Sequence, residues 1–341
     1  MRAPTHNKSS NIKDIAHKCG VSAMTVSRAL RGTEGVSEVK RQEILATAEE
    51  LNYVLNSNAR SLVKSSSDLV GISFPTLFND VFADILEGMR KTFENAGIST
   101  VVNTTNYDEA TEAKWVSQLL AWRPAGIVLT GVDHAPTLRR KIRATGIPTI
   151  EIWDIRDDPI DLCVGVDHYN SGMQLGHYAV NMGYRRPGYV CSPTGLDQRA
   201  DRRLAGIEQA FHLSENTEPL RKSTEKNRNT FLGGYEGTMA LCKAEQRPDV
   251  IFYVNDHFAF GGYSACQELG LSVPDDIGLV GFNGLDINEV IKPRLTTAIT
   301  PRRRIGEVAA GKLLARLNGV DVPPVTTLPV ILEVGETTCQ Q

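Results

Sequence analysis

Residues 11–31, NIKDIAHKCGVSAMTVSRALR, decide how this chain is read. Ile12, Ile15, Ala16 and Cys19 recur at i, i+3, i+4 and i+7, which is one apolar stripe on a short helix. Asn11 stands at the N-cap position, and Asp14 places an anion in the first turn, where the helix dipole favours it. Gly20 ends the helix because it takes the positive φ of a tight turn without strain. Val21 turns inward, and Ser22 caps a second helix whose Val26, Ala29 and Leu30 form a new apolar stripe. Met24, Ser27, Arg28 and Arg31 fall on its opposite face. Two short helices joined by a glycine-containing turn make a helix-turn-helix, whose second helix fits the major groove of DNA. The alternative is a helical hairpin that only contributes to a core. The short basic outward face and a third helix weigh against it. That helix is capped by Ser37 and carries Ile44, Leu45, Ala48 and Leu51. Three helices in this order suffice to bury a core around a reading helix.

The 341 residues, 41% of them hydrophobic, are enough for two or three compact units with a large core. The net charge of −3 is unevenly spread: residues 1–64 hold 10 Lys and Arg against 6 Asp and Glu, and the remainder is acidic. A basic head on an acidic body points to a polyanionic partner for the head alone. The cysteines at 19, 163, 191, 242, 266 and 339 show no CxxC pairing and no metal-ligand spacing, so they read as small buried hydrophobes of a reducing compartment. No metal and no cofactor is expected. The polar N-terminus lacks the apolar segment of an export signal, and no run is long enough to span a membrane. The expectation is a cytoplasmic protein without a membrane partner.

Residues 1–10 are polar and read as disordered, 11–56 as the helix-turn-helix headpiece, and 57–67 as a hinge and linker ending in a serine run. A short turn capped by Asn56 and carrying Ala59, Leu62 and Val63 is marginal in water unless something holds it. Two readings follow, a plain tether or a hinge that folds on DNA. From Leu69 the pattern changes. Apolar runs such as LVGISF (69–74), 126–130, 149–152, 187–191, 250–254 and 277–282 alternate with amphipathic segments of helix length. Strands are also expected at 99–103 and 164–166, and helices at 81–95, 111–121, 138–144, 171–182, 202–211, 234–244 and 259–269. Such alternation makes parallel sheets with right-handed crossovers, and two such series make two doubly wound α/β subdomains within 68–341. Ligands of these sheets bind beyond the carboxyl ends of the strands, so the loops after Phe74, Thr130, Ile152, Val254 and Phe282 should line one cleft.

The headpiece run, with VS at 36–37 and ELNY at 50–53, resembles the lactose/galactose repressor family (LacI/GalR). The body matches it at VGVDHYNSG (164–172), RRLAGI (202–207), VNDHFAFG (254–261), DIGLVGFNG (276–284) and PRLTTAITP (293–301). Within the family, PTLFNDVFADILEGM (75–89), DLCVGVDHYNSG (161–172) and GFNGLDINEVIKPRL (281–295) resemble the gluconate-utilisation repressor branch. The resemblance implies a homodimeric repressor on a palindromic operator, with a periplasmic-binding-protein-like body. Its subdomains would comprise about 68–167 with 299–325, and about 168–298 with 326–341. Crossing segments would lie near 167, 299 and 326. It also implies that Ala23, Met24 and Arg28 face base edges, with Arg28 a bidentate donor to guanine and the other two reading a thymine methyl or shape. Ser22, Thr25, Ser27 and Asn56 become candidate phosphate contacts. With Ala59 in the hinge, Leu62 takes the place of a minor-groove wedge, which kinks DNA at a cost of a few kcal/mol. The family usually has Pro before the hinge asparagine, where this chain has Leu55.

The same resemblance locates an effector site. Sugar-binding members commonly hold hydroxyls with an Asp where this chain has Asn283, and Trp153 stands at another position that is often Asp. An Asp about 4 Å from a ligand carboxylate would repel it by about 4 kcal/mol at an effective dielectric of about 20. Asn keeps the hydrogen bonds without the charge. Arg203 falls at the family's effector-binding arginine, and its fork suits a carboxylate. The alternative for Arg203 is a solvated residue on an exposed helix. Together these favour a sugar acid such as gluconate as the small-molecule effector. Glu151 is also an expected effector contact, and Asp154 lies close by in sequence. Asn255 caps a helix and is also an expected effector contact, with Asp256 in support. Thr130 and Thr300 end strands that face the crevice. Phe78 and Phe82 either cover the ligand or belong to the core. The run Arg302–Arg304 reads as a solvated face with no site role.

Enzyme readings find no support: there is no GxSxG, P-loop, GxGxxG or HExxH, and the seven histidines do not cluster. A neutral sugar, a sugar phosphate or a corepressor remains an alternative for the effector. A solute-binding protein with an unrelated N-terminal extension would need an export signal.

Overall fold

The computed structural model of the chain describes residues 11–30, 32–53, 67–78, 80–192, 197–224 and 230–339. The chain divides into two compact units, one within residues 1–67 and one within 68–341.

In the first unit, α1 (Ile12–Lys18), α2 (Ala23–Leu30) and α3 (Glu38–Glu50) follow the spacing of their apolar residues. Asn11 Oδ1 accepts from Lys13 N, and Asn11 N donates to Asp14 Oδ2 at 2.7 Å, so the α1 cap is reciprocal. At its other end Val21 N donates to Ala16 O and Gly20 N to His17 O, with Gly20 at φ 63°. That pairing closes the orphan carbonyls and turns Val21 towards the core. Asn52, at φ 48°, repeats the device after α3. Ile15, Ala16, Cys19, Val26, Ala29, Ile44 and Ala48 form the core. Leu45 departs from the expected stripe and is exposed. Thr47 is buried in its stead, accepting from Cys19 Sγ at 3.3 Å.

The second unit holds two six-stranded sheets among its described residues. The first comprises β1 (Leu69–Phe74), β2 (Ser99–Thr104), β3 (Gly126–Thr130), β4 (Thr149–Trp153), β5 (Leu162–Gly165) and β11 (Val325–Thr327), in the order β11-β5-β4-β3-β1-β2 and all parallel. The second comprises β6 (Pro187–Cys191), β7 (Arg221–Thr224), β8 (Val250–Tyr253), β9 (Gly278–Asn283), β10 (Thr296–Ile299) and β12 (Ile331–Glu333), in the order β12-β10-β9-β8-β6-β7 with β12 antiparallel. Central strands such as β3, β6 and β9 are buried almost throughout, which is why they read as continuous apolar runs. The chain passes between the sheets after Gly165, after Ile299 and after Thr327. Because β11 pairs with β5 through Thr327, the third crossing follows that residue.

Helices cover both sheets. In the first lobe these are α4 (Asp80–Asn95), α5 (Glu109–Ala121), α6 (Pro136–Thr145) and α11 (Arg302–Leu317). In the second they are α7 (His168–Asn181), α8 (Gln198–His212), α9 (Thr230–Cys242) and α10 (Asp256–Glu268). The α7–α8 pair approaches through glycine: a Cβ on Gly206 would stand 2.1 Å from Tyr169 O, and one on Gly172 2.1 Å from Arg203 O. Strand β7, with sequence RKST, has no apolar run and escaped the sequence pattern, as did α11. No helix among the described residues is long and apolar enough to cross a membrane.

Candidate functional site

On the first unit, α2 turns Val26 and Ala29 inward, leaving Ser22, Ala23, Met24 and Arg28 exposed and Thr25 and Ser27 half-buried. Ser22 Oγ accepts from Thr25 N at 3.1 Å, and the two hydroxyls are 2.9 Å apart. Met24 is 60% exposed, one turn before the exposed Arg28. Asn56, Ala59, Leu62 and Arg31 lie outside the described residues.

The second site lies where the carboxyl ends of the two sheets converge. β4 ends at Trp153 and β9 at Asn283, and both hold the positive φ that glycine favours, 77° and 113°. Non-glycine residues there are strained and persist where the surroundings over-determine them. Rings step from lobe to lobe: Phe74–Phe82 at 5.6 Å, Phe82–Trp153 at 6.4 Å, Trp153–His168 at 5.6 Å and His168–Phe282 at 5.9 Å. Phe82 therefore belongs to the core beneath the crevice, while Phe78 is 98% exposed and touches no part of it.

Arg203 is 4% exposed, which removes the solvated reading. Its guanidinium stacks 4.2 Å over the Phe282 ring, Nη2 donates to Val254 O, and Nη1 donates to His168 Nδ1. One turn earlier Arg199 is equally enclosed at 6%. Its Nε donates to Asp197 Oδ1 at 2.7 Å, and its guanidinium lies about 6 Å from the Phe82 and Tyr107 rings of the opposite lobe. Arg199 Nη1, Arg203 Nε and Asn283 Oδ1 are buried without a hydrogen-bond partner among the described residues. Buried polar groups are rarely left so, and a bound polar molecule is one thing that satisfies them. Arg199 also borders a cavity of about 100 Å³ shared by Tyr107, Asp108, Thr130, Asp133 and Gln198. His168 and Arg199 were not singled out from sequence, where a histidine or arginine on an amphipathic helix carries no mark of its surroundings.

Other expected residues are placed differently. Glu151 is corrected from ligand contact to internal support: it is fully buried, accepting from Arg139 Nη1 at 2.8 Å and from Ile160 N. Burial raises its pKa above the ordinary carboxylate value. Thr130 Oγ1 donates to Ser73 O, and Thr300 Oγ1 to Asn283 O. Asn255 Oδ1 caps α10, accepting from Phe258 N, and Asp256 accepts from Leu285 N and Thr297 Oγ1. Burial lifts the Asp256 pKa to about 6. Arg302 is corrected too, being buried rather than solvated. Its Nε donates to Asp84 at 2.6 Å, and its Nη1 to the carbonyls of Asn283 and Gly284. Arg202 of the second lobe reaches both Asp133 and Asp154 of the first.

A family profile described as "Bacterial regulatory proteins, lacI family" matches residues 11–56, and "Periplasmic binding proteins and sugar binding domain of LacI family" matches 67–332. The chain belongs to the LacI family. LacI-family proteins of this arrangement are DNA-binding transcriptional repressors and not enzymes, and they work as dimers with small-molecule effectors. The HTH-type transcriptional regulator GntR of Escherichia coli K12 is 34% identical over 92% of this chain and 93% of its own length. GntR of Pseudomonas aeruginosa is 32% identical over 91% and 90%. The crystal structure of a LacI-family transcriptional regulator from Silicibacter pomeroyi matches with a TM-score of 0.90 at 32% identity, covering 96% of this chain and 99% of that one. Within the LacI family the chain thus falls in the gluconate repressor branch.

Proposed function

We propose that this LacI-family repressor controls genes of sugar-acid catabolism. In this reading a homodimer holds a palindromic operator and leaves it when a sugar acid of the gluconate type binds between the lobes. Arg28 takes a guanine, Ala23 and Met24 read a methyl or shape, and Ser22, Thr25 and Ser27 position the helix on phosphate. Asn56, Ala59 and Leu62, outside the described residues, are the further DNA contacts of this reading.

One observation supports an anionic effector above the rest. Arg199 and Arg203 are both buried, Arg199 Nη1 at the cavity has no hydrogen-bond partner among the described residues, and Asn283, not an acid, ends the β9 strand. A guanidinium N–H left unmade in a dry site is costly, and a carboxylate answers it with a charge-assisted bond. Asn283 Oδ1 complements this by accepting from a ligand hydroxyl. Closure on the ligand would shift one lobe against the other and so disfavour the paired hinges, with a coupling of about 1–3 kcal/mol.

Thermal melting of the full chain against a panel of aldonic acids and neutral sugars tests this. A ligand that binds only the folded form raises the melting temperature. The largest rise is expected with an aldonate; a larger rise with a neutral hexose would overturn the proposal.

A further inference from the structure

The crevice is polarised along its length. At its inner end, on the second lobe, stands Arg199, with Arg203 one turn further along α8; both are more than nine-tenths buried, and Arg199 Nη1 has no partner among the described residues. An added Cβ on Gly131 would lie 3.7 Å from Arg199 Nη1, so this donor is aimed at the loop after β3 and borders the open cavity there. At its outer end, on the first lobe, the cavity wall carries Asp108 and Glu109, both exposed, at the start of α5, and Asp133 beside them. A bare helix N-terminus would attract an anion, but this one is closed by its own carboxylates: Asp108 Oδ2 accepts from Thr111 N, and Glu109 and Glu112 fill the first turn. Bonds from Thr111 hold the Asp108 carboxyl below its ordinary pKa, so it is charged at neutral pH. Asp197 already offsets Arg199, and Arg202 is shared between Asp133 and Asp154. The inner end therefore has room for one negative charge, and the outer end repels a second.

We infer that the site takes an unphosphorylated polyhydroxy monocarboxylate, held with its carboxylate towards Arg199, and rejects the same acid carrying a terminal phosphate. This rests on the sugar-acid reading above and narrows it. A polyol chain running outward gives its hydroxyls to Asp108 and Asp133, which act as acceptors. A phosphate at the far end brings a charge of about −1.5 to −2 against the same carboxylates. Arg199 then becomes the anchor that sequence reading assigned to Arg203, whose two terminal nitrogens are already committed to His168 and Val254.

Calorimetric titration of the full chain with gluconate, 6-phosphogluconate and glucose tests the inference. Gluconate should bind at least about tenfold more tightly than 6-phosphogluconate at low salt. That ratio should shrink as salt is raised, because the rim charges are exposed and screened. In the double variant Asp108→Asn with Glu109→Gln the ratio should fall at least about threefold; Asn caps a helix as well as Asp does. Equal or tighter binding of 6-phosphogluconate overturns the inference and leaves the sugar-acid reading standing. A ratio indifferent to both salt and the double variant also overturns it. Binding of glucose without gluconate, or no binding of gluconate, removes the sugar-acid reading itself.

Discussion

Arg203 Nη1 donates to His168 Nδ1 across 3.0 Å, and His168 Nε2 lies 2.9 Å from Trp153 O. Arginine only donates and a carbonyl only accepts, so the imidazole is the neutral Nε2–H tautomer. One histidine, just past the first crossing, thus ties the β4 end of one lobe to α8 of the other.

Burial and the adjacent Arg203 and Arg199 push the His168 pKa well below its ordinary 6.5. The unfolded chain takes up a proton near that value and the folded chain does not. The resulting stability is therefore full above pH 6.5 and is lost as pH falls below it, by up to about 1.4 kcal/mol per pH unit. His168→Gln keeps one donor and one acceptor and lacks the titration. The stability of the native chain relative to this variant, from urea unfolding, should be level above about pH 7 and decline towards pH 5. A difference level across that range would refute the neutral imidazole.

Arg302 joins Asp84 of α4 to the carbonyl of Asn283, which sits at φ 113°. Arg302→Ala takes a donor from the Gly284 carbonyl and one of several from Asn283 O, which keeps Thr300, and should cost about 1–3 kcal/mol. It should also weaken gluconate binding several-fold although Arg302 borders none of the cavity lining, because Asn283 loses its brace. Melting and calorimetry on one preparation measure both. Unchanged affinity would mean that Asn283 holds its conformation unaided.

Close helix approach makes Gly206 irreplaceable. A Cβ there meets Tyr169 O at 2.1 Å, so Gly206→Ala should cost about 1–3 kcal/mol. Gly311, inside α11, has nothing within 4 Å, and Gly311→Ala should be neutral or stabilising by up to about 1 kcal/mol. Paired denaturation curves of the two variants check the contrast.

Arg28 is the one cation on the exposed face of α2 among the described residues. Arg28→Ala should cost about 1–3 kcal/mol on a duplex selected from a random pool by the native chain, and it should relax preference at one base pair per half-site. A uniform loss over all sequences would make Arg28 a phosphate contact instead.

Much of the fold was legible because parallel strands buried on both faces are written as apolar runs, and the edge strand RKST at 221–224 was not because none of its residues is fully buried. The caps at Asn11, Ser22 and Ser37 were legible because side-chain capping is local. Trp153 and Asn283 were found through family resemblance, and their backbone strain became visible only in three dimensions. Arg302 stands in a run of three arginines that reads as surface. Its partner Asp84 is more than two hundred positions away, and no spacing rule links them. Glu151 was misplaced for the same reason: a strand residue faces either layer, and Arg139 on α6 decides which.

The most direct test is fluorescence anisotropy of a labelled operator, selected from random duplexes by the full chain, titrated with the protein at fixed salt with and without saturating gluconate. The account predicts that gluconate lowers operator affinity by about 5- to 150-fold, whereas glucose leaves it unchanged. Operator affinity indifferent to gluconate, at concentrations where calorimetry shows the site filled, would contradict it.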